Sequence, residues 1–370
     1  MLAAAKTWAA SFLPSAPGHR ASSGTKWFGL ASRGVSVANV SRHPMPAFVK
    51  KWLPLVLQTL LSVALLGWIF RSETFRAQTW QVLTSARPGW LAFGLAAAFL
   101  GNLVGVFRWG IFLRVLDIPL SRWEVLRLSF VGLFFNNFLV SAVGGDAVKV
   151  VWLGAKGHRK SNALLSVLMD RMSGLGALVL CSVTFIFWRF EWLRRSPVMA
   201  GAITFVFLYL FVVVVLMAAT FLLAHRGLTP KFPKHPPTQE MIRETSRAYL
   251  KFVQEWRQTL VASALSVIIL ITHFFTFYFS ALAFDAAIPL PDFFAIMPAV
   301  DIISALPISL GGLGVREQLF IKVLGELYGI PEAQAVSISL GGALITLLCG
   351  LVGLVFLPSY RRVTKSPEAA

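Results

Sequence analysis

The chain has 370 residues, 56% of them hydrophobic and only 14% charged, with a mean hydropathy of +0.71. A soluble domain carries about 25% charged residues, so this chain lacks the polar surface to stay in water and reads as a polytopic integral membrane protein. Its net charge of +18 does not point to nucleic acid. Lys and Arg gather in short segments between apolar stretches, as cytoplasmic loops do, where they also attract anionic headgroups.

Taken in chain order, residues 1–44 hold Lys6, Arg20, Lys26, Arg33 and Arg42, no acidic residue, and much Ala, Ser, Gly and Pro. They read as an extension outside the fold, either disordered or upstream of the true start at Met45; a targeting segment is the other reading. A bilayer core takes about 20 apolar residues as helix. Six stretches meet that length: Trp52–Phe70, Trp90–Leu113, Ser161–Trp188, Val198–Leu223, Thr259–Ala283 and Ala335–Leu357. The basic segment His225–Gln258 is expected in the cytoplasm, together with Arg42–Lys51 before the first span and Arg361–Lys365 after the last. Both termini then face the cytoplasm, leaving Arg194 and Arg195 outside as a minor discord. Residues 45–358 form the expected transmembrane domain and 359–370 a cytoplasmic tail.

Two further apolar regions are broken. Leu128–Ala155 is interrupted at Asn136–Asn137 and at Gly144–Gly145–Asp146; Phe293–Tyr328 is interrupted at Pro307 and at Gly311–Gly312–Leu313–Gly314. Gly and Pro free backbone groups that lipid cannot satisfy, so such breaks need protein or a wet cavity around them. Each region is expected to be a pair of short helices in a re-entrant hairpin. The breaks also align: LVSAVGGDAVK at Leu139–Lys149 matches LPISLGGLGVR at Leu306–Arg316 in Leu, the Gly pair, Val and a closing basic residue. Three spans separate them, so the hairpins enter from opposite sides, an inverted-topology repeat of the kind that marks transporter sites. Two chance small-residue packing motifs would look the same. The expected fold is all-α: a membrane helix bundle of six full spans plus two broken or re-entrant helical hairpins.

Charges at membrane depth are costly, about 2.5–3.5 kcal/mol each even on the lenient insertion scale. Asp170 and Arg171 lie about ten residues into their span, roughly 15 Å deep. Asp146 and Lys149 share a helix face after the first Gly pair; Asp301 precedes the second break, and Arg316 and Glu317 follow it. Together these residues predict a polar cavity between the hairpins in which Lys149, Arg171 and Arg316 meet an anionic headgroup, helped by helix N-termini at the breaks. The competing reading is an internal ion-pair network that holds the bundle together. Asn136 and Asn137 would bond headgroup hydroxyls or tie down broken backbone. His273 is read as a hydrogen-bonded structural residue rather than a proton relay, and Arg108 and Arg114 as snorkelling cations. Cys181 and Cys349 have no ligand or disulfide spacing, no nucleotide-binding or hydrolase motif appears, and no cofactor is implied.

The runs RWGIFLRVLDIPLSRWEVLRLSFVGLFFNNFLVSAVGGDAVKVVWL (Arg108–Leu153), VLMDRMSGLG (Val167–Gly176) and ALPISLGGLGVREQLF (Ala305–Phe320) resemble the lysylphosphatidylglycerol synthase transmembrane, or flippase-like, family. The resemblance spans roughly Trp52–Leu357. It implies a domain that translocates lipids, and it places motif positions on Asn136, Asn137, Gly144, Gly145, Asp146, Lys149, Asp170, Arg171, Pro307, Gly311, Gly312, Gly314, Arg316 and Glu317. Lys149 stands where relatives often carry Arg, and a lysine lacks the bidentate fork. No synthase domain is visible, so the chain is not expected to aminoacylate lipid or to be an enzyme. The expected function is a lipid flippase or lipid transporter of the bacterial inner (plasma) membrane, moving an anionic or lipid-linked headgroup, with membrane lipids and a lipid-synthesis enzyme as partners. The alternatives are a membrane-embedded lipid-modifying transferase and an accessory scaffold of lipid synthesis.

Overall fold

The computed structural model describes residues 47–138, 144–225, 251–306 and 309–358. The basic extension, the middle of the break at 139–143, most of the basic loop, Pro307 and the tail lie outside these residues. Every element among the described residues is helical. In chain order they are α1 (Ala47–Ile69), α2 (Glu73–Thr84), α3 (Pro88–Val115), α4 (Arg122–Phe138), α5 (Gly144–Ala155), α6 (Lys160–Trp188), α7 (Phe190–Leu193), α8 (Pro197–His225), α9 (Trp256–Ala283), α10 (Leu290–Ser304), a 3-10 turn (Leu310–Gly312), α11 (Val315–Tyr328) and α12 (Glu332–Phe356).

Five helices among the described residues are long and apolar enough to cross a membrane: α3, α6, α8 over Pro197–Leu216, α9 and α12. The first expected span corresponds to α1, whose described apolar stretch, Val56–Ile69, is shorter. Outward faces carry Leu60, Val63, Phe107, Phe187, Leu208, Phe211 and Val355, all exposed, as a lipid solvent requires.

The first break differs from expectation in one respect. Asn136 and Asn137 do not interrupt the helix: α4 runs through both to Phe138. Their side chains are satisfied across the interface, so the backbone has no cause to unwind. Asn136 Oδ1 accepts the Gly145 N–H at 2.8 Å, and Asn137 donates to the Thr346 carbonyl on α12 at 3.2 Å. Gly144 opens α5. There a Cβ at Gly145 would overlap the Gly132 carbonyl, so α4 and α5 touch backbone to backbone. The second break matches the expectation of two short helices. Gly311, Gly312 and Gly314 hold φ of 59°, 80° and 87°, the left-handed region that favours glycine.

The helices α3 and α9 pack along their length and run antiparallel: Gly94 faces Thr276, Gly101 faces Thr272, and Gly105 faces Ile269. Small residues let their backbones approach, the usual source of packing energy between helices in lipid. Both helices have 28 residues and end alike. Beyond their caps stand Asp117 (φ 55°) and Asp285 (φ 58°), aspartate being one of the few side chains that tolerates this conformation. The carbonyl of Leu116 accepts from the Asn162 amide at 3.2 Å, and that of Phe284 from the Gln334 amide at 2.6 Å. The neighbours correspond too. The helix α3 packs on α4, α6 and α12, while α9 packs on α10, α12 and α6. Likewise α4 lies against α12 and α10 against α6.

Polar groups collect at two ends. One gathers Asp117 with Lys251 and Glu124 with Lys156. The other gathers Arg87 with Asp285, Arg189 with Asp292, and Glu326 with Ser196.

Candidate functional site

The charged residues at membrane depth fall into two groups, one beside each broken hairpin. The first is built from α3, α5 and α6. Arg108 Nε donates to Asp170 at 2.8 Å, and its Nη1 reaches Ser266 on α9 at 2.9 Å. Arg171 bonds Asp146 at 2.7 Å; Asp146 sits in the first turn of α5, where the helix dipole favours a negative charge. Arg108 is therefore no snorkelling cation. Its side chain is 12% exposed, drawn inward by a carboxylate that would otherwise lie unpaired at depth. Adjacent positions on α6 point about 100° apart, and Asp170 and Arg171 accordingly serve different partners.

Lys149 completes this group. It is buried, and its ammonium sits 4.4 Å from the centroid of the Trp109 ring. Its stem passes Gly132, where a Cβ would collide with it. Among the described residues no carboxylate lies within ion-pair distance of Lys149; Asp146 and Asp170 are bonded to the two arginines. A desolvated cation over an indole gains about 2 kcal/mol, less than the cost of burying an ammonium without a counter-ion. Among the described residues three cations thus face two carboxylates, and Trp109 is itself anchored to Ser166 at 3.4 Å.

The second group is built from α9, α10, α11 and α12. Arg316 lies 5.1 Å from the centroid of Phe277 and donates to Ser339 at 3.2 Å. Ser339 in turn donates to Glu317 at 2.7 Å. Glu317 is wholly buried and its other oxygen accepts the Gly314 N–H at 2.5 Å, fixing the start of α11. His273 stands 3.3 Å from Asp301 and packs edge-on against Phe277 at 5.2 Å. Here, among the described residues, two carboxylates face one permanent cation.

The two groups answer each other. Trp109 and Phe277 occupy the same position counted from the starts of α3 and α9, and each carries the basic residue that closes the aligned break, Lys149 or Arg316. In the same way Gly145 abuts Asn136, and Gly312 abuts Ser304. Gly94 on antiparallel α3 lies against Thr276 and Phe279, so Phe277 stands near its level and the two ring positions are separated by about fifteen residues, roughly 22 Å along the axis. The sequence residues expected to line one cavity are therefore held at two depths. Asn136, Gly144, Gly145, Asp146, Lys149, Asp170 and Arg171 belong to the first, and Asp301, Gly312, Gly314, Arg316 and Glu317 to the second. Asn137 ties α4 to α12, Gly311 forms the turn before α11, and Pro307 lies outside the described residues.

Sequence reasoning missed Trp109, Ser166, Ser266, Phe277 and Ser339 as members of the site. The rings and hydroxyls carry no motif, although serines spaced through apolar helices are a signal of interhelical bonding.

Residues 55–353 match the family described as the lysylphosphatidylglycerol synthase TM region. That stretch covers most of the chain. This protein belongs to that family. It is also similar to the UPF0104 membrane protein PH1989 of Pyrococcus horikoshii, 23% identical over 338 residues, which cover 83% of this chain and 97% of the relative. The family match takes in both breaks and both charged groups, so these features lie within the family's own region.

Proposed function

We propose that this protein is a lipid flippase or lipid transporter of the inner (plasma) membrane, passing an anionic headgroup between the two cation–ring sites while the acyl chains stay in lipid. The observation that carries this reading is Lys149, a buried ammonium with a ring beneath it and, among the described residues, no carboxylate within ion-pair distance. A headgroup phosphate supplies the missing counter-charge. Arg316 over Phe277 offers a second cation at the other depth, and the roughly 22 Å between the rings is over half of a bilayer core of about 30 Å.

The corresponding contacts of α3–α6 and α9–α12, with α3 antiparallel to α9, support an inverted-topology repeat in which the hairpins enter from opposite leaflets. The end that holds Lys156, Arg159, Lys160 and Lys251 is assigned to the cytoplasm by the positive-inside rule. Six crossings, with α1 as the first, then leave both termini cytoplasmic.

The test is transbilayer movement of labelled anionic phospholipid in liposomes holding the purified protein, with Lys149→Ala and Arg316→Ala as variants. Fast movement with the wild type, lost in both variants while each stays folded, is the expected result. Full activity in both variants would reject the headgroup path. A change in lipid composition instead of leaflet would favour a transferase, and inactivity with stable co-purification of a lipid-synthesis enzyme would favour a scaffold.

A further inference from the structure

The two charged groups correspond in position but not in charge. Among the described residues, beside Lys149 three cations face two carboxylates, whereas beside Arg316 two carboxylates, Asp301 and Glu317, face one permanent cation. The second group differs also in holding His273, the side-chain type that ordinarily titrates between pH 5 and 8. From the geometry we infer that His273 and Asp301 form a proton-binding site that couples the movement of the headgroup to a proton gradient; this rests on the transport reading above.

Four observations carry it. First, His273 lies about ten residues from the end of α9, roughly 15 Å deep, yet its side chain is 36% exposed and that of Asp301 17%. A carboxylate facing hydrocarbon is heavily penalised, so the exposed edge of the pair requires water, and with it a source of protons, rather than lipid. Second, Asp301 has His273 as its charged partner, and the surroundings leave that partnership in control. On α11, Glu317 is held by Ser339 and the Gly314 N–H. On α3, Arg108 is bonded to Asp170 of α6, and Arg171 of α6 to Asp146. The helix α12 has no charged residue after Glu332, and α9 none other after Arg257. Third, the Phe277 ring is shared: His273 packs on it at 5.2 Å and Arg316 at 5.1 Å. An imidazolium there places a second cation beside the arginine and neutralises Asp301, so the second group becomes net neutral and more favourable to an anion. Fourth, Asp301 lies in the last turn of α10, where its carbonyl accepts the Ala305 N–H directly before the break that leads to Arg316. The pair thus stands at the helix end from which the chain continues to the guanidinium.

The cycle balances with one proton. His273 takes it from the aqueous phase on one side as the headgroup arrives at Arg316, and releases it to the other side as the headgroup leaves.

Two measurements test this. The first is an infrared pH titration of the purified protein between pH 5 and 8, which needs no transport. The site predicts linked imidazole and carboxylate bands in the wild type; His273→Gln removes the carboxylate change and Asp301→Asn shifts the imidazole titration. A wild type without linked bands in that range has a purely structural pair, and the site is overturned. The second is the steady-state leaflet ratio of labelled anionic lipid in wild-type liposomes under an imposed pH gradient. One proton per lipid changes that ratio about tenfold per pH unit, and a protonophore abolishes the change. Movement that ignores both gradient and protonophore overturns the coupling and leaves the flippase reading intact. No lipid movement under any gradient defeats the flippase reading and the coupling with it, while the proton site is decided by the infrared titration.

Discussion

Lys149, Arg108 and Asp170 illustrate how burial decides what a charge does. Arg108 and Asp170 are both largely withdrawn from solvent, at 12% and 15% exposed. Each is tolerable only because the other is there. Removing one partner of such a pair leaves an uncompensated buried charge, a loss of about 3–5 kcal/mol, whereas replacing both by apolar residues of similar size is often neutral. Asp170→Asn should therefore lower the unfolding temperature in detergent sharply, while the double change Arg108→Met with Asp170→Leu recovers most of it. A single variant as stable as the wild type would mean that water reaches Arg108 freely. The charges at depth were legible in the sequence, since Asp170 and Arg171 fall mid-span. The partner was not, because Arg108 sits close enough to a helix end that snorkelling was the cheaper assumption. Only the approach of α6 to α3 shows otherwise.

At the scale of elements, each hairpin is clasped at its base. Glu124 in the first turn of α4 meets Lys156 just past α5, and Asp292 in the first turn of α10 meets Tyr328 at the end of α11 at 2.5 Å. The Glu124 carboxyl is held below its usual range chiefly by the Ser121 backbone N–H, against the opposing pull of burial, with help from the Ser121 hydroxyl and the Lys156 ammonium. A carboxyl with a lowered folded-state pKa adds stability that is complete above its unfolded value, about 4.3. That stability drains away as the pH falls through the lowered value. The first hairpin should loosen in that acid window. Proteolysis or hydrogen exchange at α4–α5 between pH 5 and 3 measures it, and Glu124→Gln should show weaker protection at pH 6 with a flatter acid response. An identical acid profile in the variant would show that Glu124 is not the source of the loosening. The two broken regions were readable from Gly and Pro. Where the first break begins was not, since asparagine is a poor helix former in isolation and becomes a good one when Gly145 and Thr346 satisfy its side chain.

For the whole molecule, the antiparallel packing of α3 on α9 and the matching ends of both helices tie the architecture to a testable sidedness. Gly157 follows α5 and Gly329 follows α11; in an inverted repeat they face opposite sides. In a background with Cys181 and Cys349 replaced by serine or alanine, an impermeant maleimide added outside intact cells should label Gly329→Cys and spare Gly157→Cys until the membrane is opened. Labelling of both from the same side would defeat the inverted arrangement.

The sequence by itself determined the solvent, the secondary structure and the family. Those follow from local quantities: the length and hydropathy of each stretch, the conformational freedom of Gly, the rigidity of Pro, and runs of residues adjacent in the chain. It also located the charges that lipid would reject. The tertiary structure alone decided which charge meets which partner and at what depth. Arg108 reaches residues 62 and 158 positions away, and Arg171 one 25 positions away. Such pairings depend on how helices are turned and stacked. Hydropathy reports how strongly each helix prefers lipid and carries no record of the neighbour it will face.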